Sequence, residues 1–175
     1  MNRKLLLVII LMPGLVLATG HRKRSRRLAP VTPVTYLPYE NEALHLNIRI
    51  PSGWQIRRSD GAIGFSSPFG DPHSHAALGI LKSSTPESPI EQAAMQEFNH
   101  EGGPAHWHQD PTRIAGQRAI RIATRKKDNP AMRRVEFYIE SPHGLYIVQC
   151  MAPSHQWRHY DDVFSSMISS LNFLP

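Results

Sequence analysis

Apolar and polar residues alternate through most of the chain after about residue 39, which is the period-two pattern of half-buried β-strands. The first clear example is residues 44–50, in which four apolar side chains alternate with His45, Asn47 and Arg49. Pro51 cannot donate a backbone hydrogen bond, and the Ser-Gly pair that follows it favours a turn. We therefore predict a strand that ends at Pro51.

The same kind of pattern recurs along the chain and predicts six further strands. Asp60-Gly61 separates two of these strands and predicts a tight hairpin, because glycine adopts positive φ without strain. Two strands, at residues 76–81 and 145–151, are apolar on both faces, as expected for the centre of a sheet. The predicted strands are residues 54–57, 63–65, 76–81, 117–124, 134–140 and 145–151.

Two segments instead place apolar residues at helical spacing. The first begins at Ser88-Pro89, where serine can cap the helix and Glu91 completes a capping box, and it ends at Gly102-Gly103. The second predicted helix presents one apolar stripe, made of Trp157, Tyr160, Phe164, Met167, Ile168 and Leu171. Strands that follow one another directly, with helices between the runs, predict an α+β fold with an antiparallel sheet of about six to seven strands covered by two helices.

The net charge of +6 is concentrated at the N-terminus. Residues 1–27 carry seven basic and no acidic side chains, so the remainder holds 13 basic and 14 acidic residues. A nucleic-acid-binding domain carries its basic patch on the folded surface. We therefore expect no nucleic-acid partner.

The N-terminal 20 residues have the organisation of a secretory signal peptide. Arg3 and Lys4 precede an apolar run at residues 5–17, and small residues follow it. The basic cluster at 22–27 opposes translocation, so an uncleaved membrane anchor formed by residues 5–17 is the alternative. We expect a basic, proline-containing linker at 21–38, a domain at 39–175, and export to the periplasm or the extracellular space.

Several short motifs, in this order, resemble the PsbP/DcrB-like superfamily. They are Ile50-Pro51-Ser52-Gly53-Trp54, Phe65 in a short hairpin, Ile114-Ala115-Gly116, the strand entry His143-Gly144-Leu145-Tyr146-Ile147-Val148, and a closing helix through Phe164, Ile168 and Ser169-Ser170-Leu171-Asn172-Phe173. The resemblance covers about residues 39–173. It implies an α/β/α sandwich around an antiparallel sheet.

The same resemblance implies a style of function rather than a reaction. Members of the superfamily act mostly by binding other proteins, and no catalytic residue recurs among them. We therefore expect a non-catalytic, exported protein-binding or accessory module of the cell envelope, with a partner that the sequence does not identify. Membrane contact would come only through the leader, if the leader is retained.

Two mirrored triplets provide an alternative, a metal-binding envelope protein. Alternate residues of an extended chain share a face, so each triplet could present two imidazoles and a carboxylate, a ligand set that suits zinc or copper. Exposed loop or strand-edge residues would give the same spacing. The triplets are Asp71, His73 and His75, and in reverse order His106, His108 and Asp110.

A hydrolase is the second alternative, because serine, histidine and aspartate are plentiful. The candidate pairs are Ser141 with His143 and His155 with Asp161. The chain has no G-x-S-x-G elbow and no phosphate-binding glycine motif. Cys150, the single cysteine, lies in an apolar strand, where a buried structural thiol is expected, and it allows neither an intramolecular disulfide nor a cysteine-based zinc site.

Overall fold

A computed structural model describes residues 34–68, 76–83, 89–100, 108–125 and 131–175. Residues 34–175 form one compact unit. Ten strands and two helices lie within the described ranges: β1 Tyr36–Asn41, β2 Leu46–Pro51, β3 Gln55–Ser59, β4 Ala62–Ser66, β5 Ala77–Lys82, α1 Ile90–His100, β6 His108–Ile114, β7 Gln117–Arg125, β8 Met132–Ser141, β9 Gly144–Pro153, α2 Trp157–Ser169 and β10 Asn172–Phe173.

Seven of the strands form one antiparallel sheet in the order β3-β4-β5-β9-β8-β7-β6. The other three form a smaller antiparallel sheet in the order β1-β2-β10. The predicted α+β class, with an antiparallel sheet covered by two helices, is confirmed. The predicted Asp60-Gly61 turn is also present, with Gly61 at φ 66°.

Strand β9 places its alternate side chains in two different cores. Tyr146, Val148 and Cys150 point into the larger core, which also contains residues of β2, β4, β5 and α2. Leu145 and Ile147 belong to a second cluster, beneath α1. The large sheet therefore carries a layer on each face, with α2 and the small sheet on one side and α1 over β7 and β8 on the other.

Each helix buries its apolar stripe against the large sheet. In α1, Ile90 and Ala94 are buried against Ile120 and Ile122 of β7. In α2, the predicted stripe is buried at Trp157, Phe164 and Met167, and it faces the larger core. Neither helix in the described part of the chain is long and apolar enough to cross a membrane.

The pattern of residues 44–50 was correctly assigned to a strand, but we expected that strand in a single sheet. The structure instead places β2 in the small sheet, paired with β1 and β10. The sequence pattern also did not predict β1, β6 and β10. β1 begins at Tyr36, within the last three residues of the segment predicted as a linker.

Tyr146 connects the large sheet to the small one. Its hydroxyl donates a hydrogen bond to the backbone carbonyl of Leu44, with 2.9 Å between Oη and O. Its ring also packs against Phe173 of β10, with 4.9 Å between the ring centroids. Because Tyr146 is fully buried, its hydroxyl needs this partner, and the pairing fixes where the small sheet sits.

We predict that Tyr146→Phe lowers the free energy of unfolding by about 1–3 kcal/mol, because the buried carbonyl of Leu44 loses its donor. Urea unfolding followed by far-UV circular dichroism measures the change. Tyr36→Phe is the matched control, since the hydroxyl of the half-buried Tyr36 has no hydrogen bond within the described residues. Equal stability of the two variants would contradict the proposed role of the hydrogen bond.

Candidate functional site

The structure places only part of the predicted metal-binding set. Asp71, His73, His75 and His106 lie outside the described residues. His108 is the first residue of β6, and Asp110 lies two positions further along the same strand. The Asp110 carboxylate is exposed and pairs with Arg121, with 3.3 Å between Oδ2 and Nη1.

Within the part of the chain that the structure describes, no group of three or more His, Cys, Asp or Glu side chains could hold a metal ion. Asp110 is engaged with an arginine cation, which competes with a metal for the carboxylate. The two triplets cannot be compared, because most of their members lie outside the described ranges. Zinc or copper binding by these residues therefore stays a prediction.

The first candidate hydrolase pair is not arranged as a nucleophile and its base. The hydroxyl of Ser141 accepts a hydrogen bond from the backbone N–H of His143, with 3.0 Å between Oγ and N. The His143 ring instead places Nε2 2.6 Å from the carbonyl oxygen of Leu174, and it stacks on His45 at 4.3 Å between centroids. These contacts join two hairpin turns to the C-terminal segment.

The other candidate base and nucleophile, His155 and Cys150, have different surroundings from each other. His155 is exposed, and its Nε2 lies 3.1 Å from the amide nitrogen of Gln156. Cys150 is buried in the larger core, as expected from the apolar strand around it. Burial raises the pKa of the Cys150 thiol well above its usual range, and the carboxylate of Asp161 raises it further. A protonated, enclosed thiol is a poor nucleophile.

A charged cluster that the sequence pattern did not reveal lies buried on the α1 side of the large sheet. Glu136 of β8 has no exposed surface, and Arg134 is 7% exposed. The Glu136 carboxylate receives hydrogen bonds from Gln149 Nε2 at 2.6 Å and from the hydroxyl of Tyr138 at 3.1 Å. Nε of Arg134 lies 3.3 Å from Oε1 of Glu136. Several partners therefore stabilise this desolvated carboxylate.

In the sequence, Arg134, Glu136 and Tyr138 alternate with apolar residues of β8. The structure buries all three side chains, and α1 contacts β7 and β8 on the same side of the sheet. A strand pattern distinguishes the two faces of a strand but does not say whether the polar face is covered. No local sequence signal would have identified Glu136 as buried.

Strands β4 and β5 are covered on one face only. Their apolar residues on the side of the larger core are buried, whereas those on the α1 side are all half-buried or exposed. Leu81 is 40% exposed although it is a large apolar residue. We call this uncovered surface the open face; its residues are Ala62, Gly64, Ser66, Ala77, Gly79 and Leu81.

Two glycines form the floor of the open face. Gly64 and Gly79 stand directly opposite each other in the β4–β5 ladder. A Cβ atom built on Gly64 would meet no atom within 4 Å, and one on Gly79 would meet only the carbonyl oxygen of Ile63, at 4.0 Å. In the same cross-strand row, Arg57 borders the floor on β3 and Gln149 borders it on β9. The open face is therefore a shallow trough with polar borders.

Searches against protein-family models and against curated proteins found no match. Solved structures do match, over most of both chains. LpqN of Mycobacterium tuberculosis, involved in cell envelope biogenesis, is 11% identical with a TM-score of 0.55, covering 82% of this chain and 93% of LpqN. Cyanobacterial PsbP from Synechocystis is 13% identical with a TM-score of 0.58, covering 83% and 96%.

A third match is PA94 of Pseudomonas aeruginosa, a protein of unknown function. It is 19% identical with a TM-score of 0.54, and the alignment covers 80% of this chain and 98% of PA94. The protein has the PsbP/DcrB-like fold. This result confirms the resemblance inferred from the sequence motifs. At such low identity, a PsbP/DcrB-like fold carries no residue roles from one protein to another.

We predict that the buried Cys150 thiol makes the protein lose stability as pH rises above about 8.5, the usual pKa of a free thiol. The thiol of the unfolded chain ionises there, whereas the folded thiol stays protonated, so rising pH favours unfolding. The free energy of unfolding should fall by up to about 1.4 kcal/mol per pH unit more in the wild type than in Cys150→Ala. Urea titrations at pH 8, 9 and 10 measure this slope.

Val148→Ala is the control for that measurement, since it removes volume from a buried site on the same strand but keeps the thiol. Its slope with pH should match that of the wild type. A Cys150→Ala slope equal to that of the wild type would show that the thiol does not cause the pH dependence.

Proposed function

We propose that the protein is an exported, non-catalytic module that binds another protein of the cell envelope through the open face. The single observation that carries this proposal is that β4 and β5 bury apolar side chains in the larger core on one face, whereas their residues on the other face are half-buried or exposed. A sheet face with small side chains and an exposed Leu81 can bury apolar area against a partner.

The chemistry of the open face suits protein binding better than catalysis. Its floor consists of glycine, alanine and serine, which supply no acid, base or strong nucleophile. The ionisable groups in the same cross-strand row are Arg57, which is exposed, and Glu136, whose carboxylate is already held by Gln149 and Tyr138. A flat floor with polar borders is the arrangement expected at a protein interface.

Two further observations support a location in the cell envelope. The sequence begins with a basic n-region and an apolar run of the size of a signal peptide. LpqN, which has a similar structure, is involved in cell envelope biogenesis. An accessory role at the envelope agrees with the expected leader. It also agrees with a fold in which the described residues do not assemble a catalytic group.

We predict that Gly64→Tyr reduces partner recovery at least about fivefold, because the new ring would occupy the floor of the open face. The backbone at this position accepts a side chain, since an added Cβ meets no atom within 4 Å and Gly64 does not have a positive φ. The measurement is formaldehyde cross-linking of the tagged full-length chain in intact cells of its own host. Affinity capture and quantitative mass spectrometry follow.

Ser165→Tyr is the matched control, because it adds the same ring at an exposed position of α2, away from the open face. Its partner recovery should equal that of the wild type. Equal recovery from Gly64→Tyr would reject the open face as the binding surface. If no cross-linked envelope protein exceeds the background of an untagged strain, the proposed function itself is wrong.

A further inference from the structure

The two sheets have four edge strands, and three of them are poor templates for an added strand. β1 contains Pro38, and β6 contains Pro111, which remove backbone donors and protect an edge. β10 has only two residues. Among the described strands, β3 is the only edge strand that combines five residues with the absence of proline.

Strand β3 is fully accessible. All five of its residues are exposed, and Ile56 retains 38% of its surface although it is apolar. An edge of this kind carries unpaired backbone N–H and C=O groups that can hydrogen bond to an extended segment. The side chains next to the edge then decide which segment is accepted.

Two consecutive arginines place one positive charge on each face of the sheet at β3. Arg57 is paired with Gly64, so it lies on the side of the open face. Arg58 is paired with Ile63 and lies on the other side, beside the small sheet. Neither arginine forms an ion pair with a described carboxylate, although other arginines of the sheet do.

The small sheet orients Arg58 before any partner arrives. Nε of Arg58 donates a hydrogen bond to the hydroxyl of Tyr39, at 2.9 Å, and its guanidinium lies 5.5 Å from the centroid of the Tyr39 ring. Tyr39 is itself held by an edge-to-face contact with Phe65, at 5.4 Å between centroids. The two terminal nitrogens of Arg58 keep their donors for a carboxylate.

The same charges argue against a second copy of this chain as the occupant. In the antiparallel register that pairs all five residues, Arg57 of one copy would face Arg57 of the other. Like charges placed directly opposite each other destabilise a strand pair, whereas opposite charges stabilise it. The two arginines therefore disfavour pairing of β3 with a second copy of β3, and they favour pairing with a strand that carries acidic residues.

We propose that β3 is the docking edge for an extended segment of the envelope partner, and that this segment carries two consecutive acidic residues followed by an apolar residue. In antiparallel pairing the acidic residues face Arg58 and Arg57 in turn, and the apolar residue faces Ile56. Consecutive residues of a strand point to opposite faces, so only adjacent acidic residues meet both arginines. This inference rests on the proposed protein-binding function and names the chemistry of the partner.

A defined peptide tests the proposal without an unidentified ligand. The probe is a fluorescein-labelled eight-residue peptide with the central sequence Thr-Glu-Glu-Val-Thr, and fluorescence anisotropy measures its binding to the full 175-residue chain. The Arg57→Glu/Arg58→Glu double variant should bind at least about tenfold more weakly. It should in turn prefer the peptide in which both glutamates are replaced by lysine. Hydrogen–deuterium exchange should show new protection at residues 55–59.

Two controls separate strand pairing from simple charge attraction. Arg113→Glu/Arg158→Glu changes the net charge equally at exposed positions away from β3, and it should bind like the wild type. A peptide N-methylated at alternate amides keeps its charges but loses backbone donors, and it should not bind. Binding that survives in the β3 variant, as would occur at the basic segment 22–27, overturns the proposal. Equal binding of the N-methylated peptide also overturns it, as does self-association through β3.

The outcomes also distinguish this inference from the proposed function. If the host partner is captured and Gly64→Tyr reduces the capture, but the peptide does not protect β3, the edge inference is wrong and the function stands. If the peptide protects β3 but the cross-linking experiment finds no envelope partner, the proposed function is wrong and the acidic-strand preference of the edge stands.

Discussion

The antiparallel pairing of β8 with β9 over ten residues is the constraint from which the rest of the architecture follows. Because successive side chains point to opposite faces, β9 supplies Tyr146 to one core and Leu145 to the other. The two covering layers differ in extent. The helix α1 contacts β7 and β8. Strands β4 and β5 lie on the other side of β9 in the sheet, and their residues on the α1 side stay half-buried or exposed.

The strands and helices that bury a full apolar face were predicted from the sequence, and the strands that were missed are β1, β6 and β10. The helix α2 and the strands β5 and β9 each show a period that matches their burial. β1 and β6 are edge strands whose exposed positions leave no apolar alternation, and both contain a proline. Their strand conformation comes from pairing with β2 and β7, which is a tertiary effect that local sequence does not encode.

The candidate surface was less predictable than the fold, because it depends on register between distant strands. Gly64 and Gly79 read as isolated glycines in the sequence, and only their pairing across β4 and β5 creates a floor without side chains. Glu136 alternates with apolar residues as a solvent-facing residue would, yet it has no exposed surface. Whether a polar strand face meets water or a second layer is decided by helix packing. The histidine triplets were visible in the sequence, and four of their six members lie outside the described residues.

The buried ion pair of Arg134 and Glu136 holds one border of the open face in place through Gln149. Removing water from Glu136 and Arg134 is costly, and a partly satisfied pair would be worse than an apolar one, so the cluster holds a single arrangement. Gln149 is part of this arrangement, because its amide nitrogen donates to Glu136 while its side chain borders Gly79 across the ladder. The polar border of the trough is thereby held by a hydrogen bond within the sheet. A preformed surface loses little conformational entropy on binding, so a small area with few apolar contacts can still give specific association.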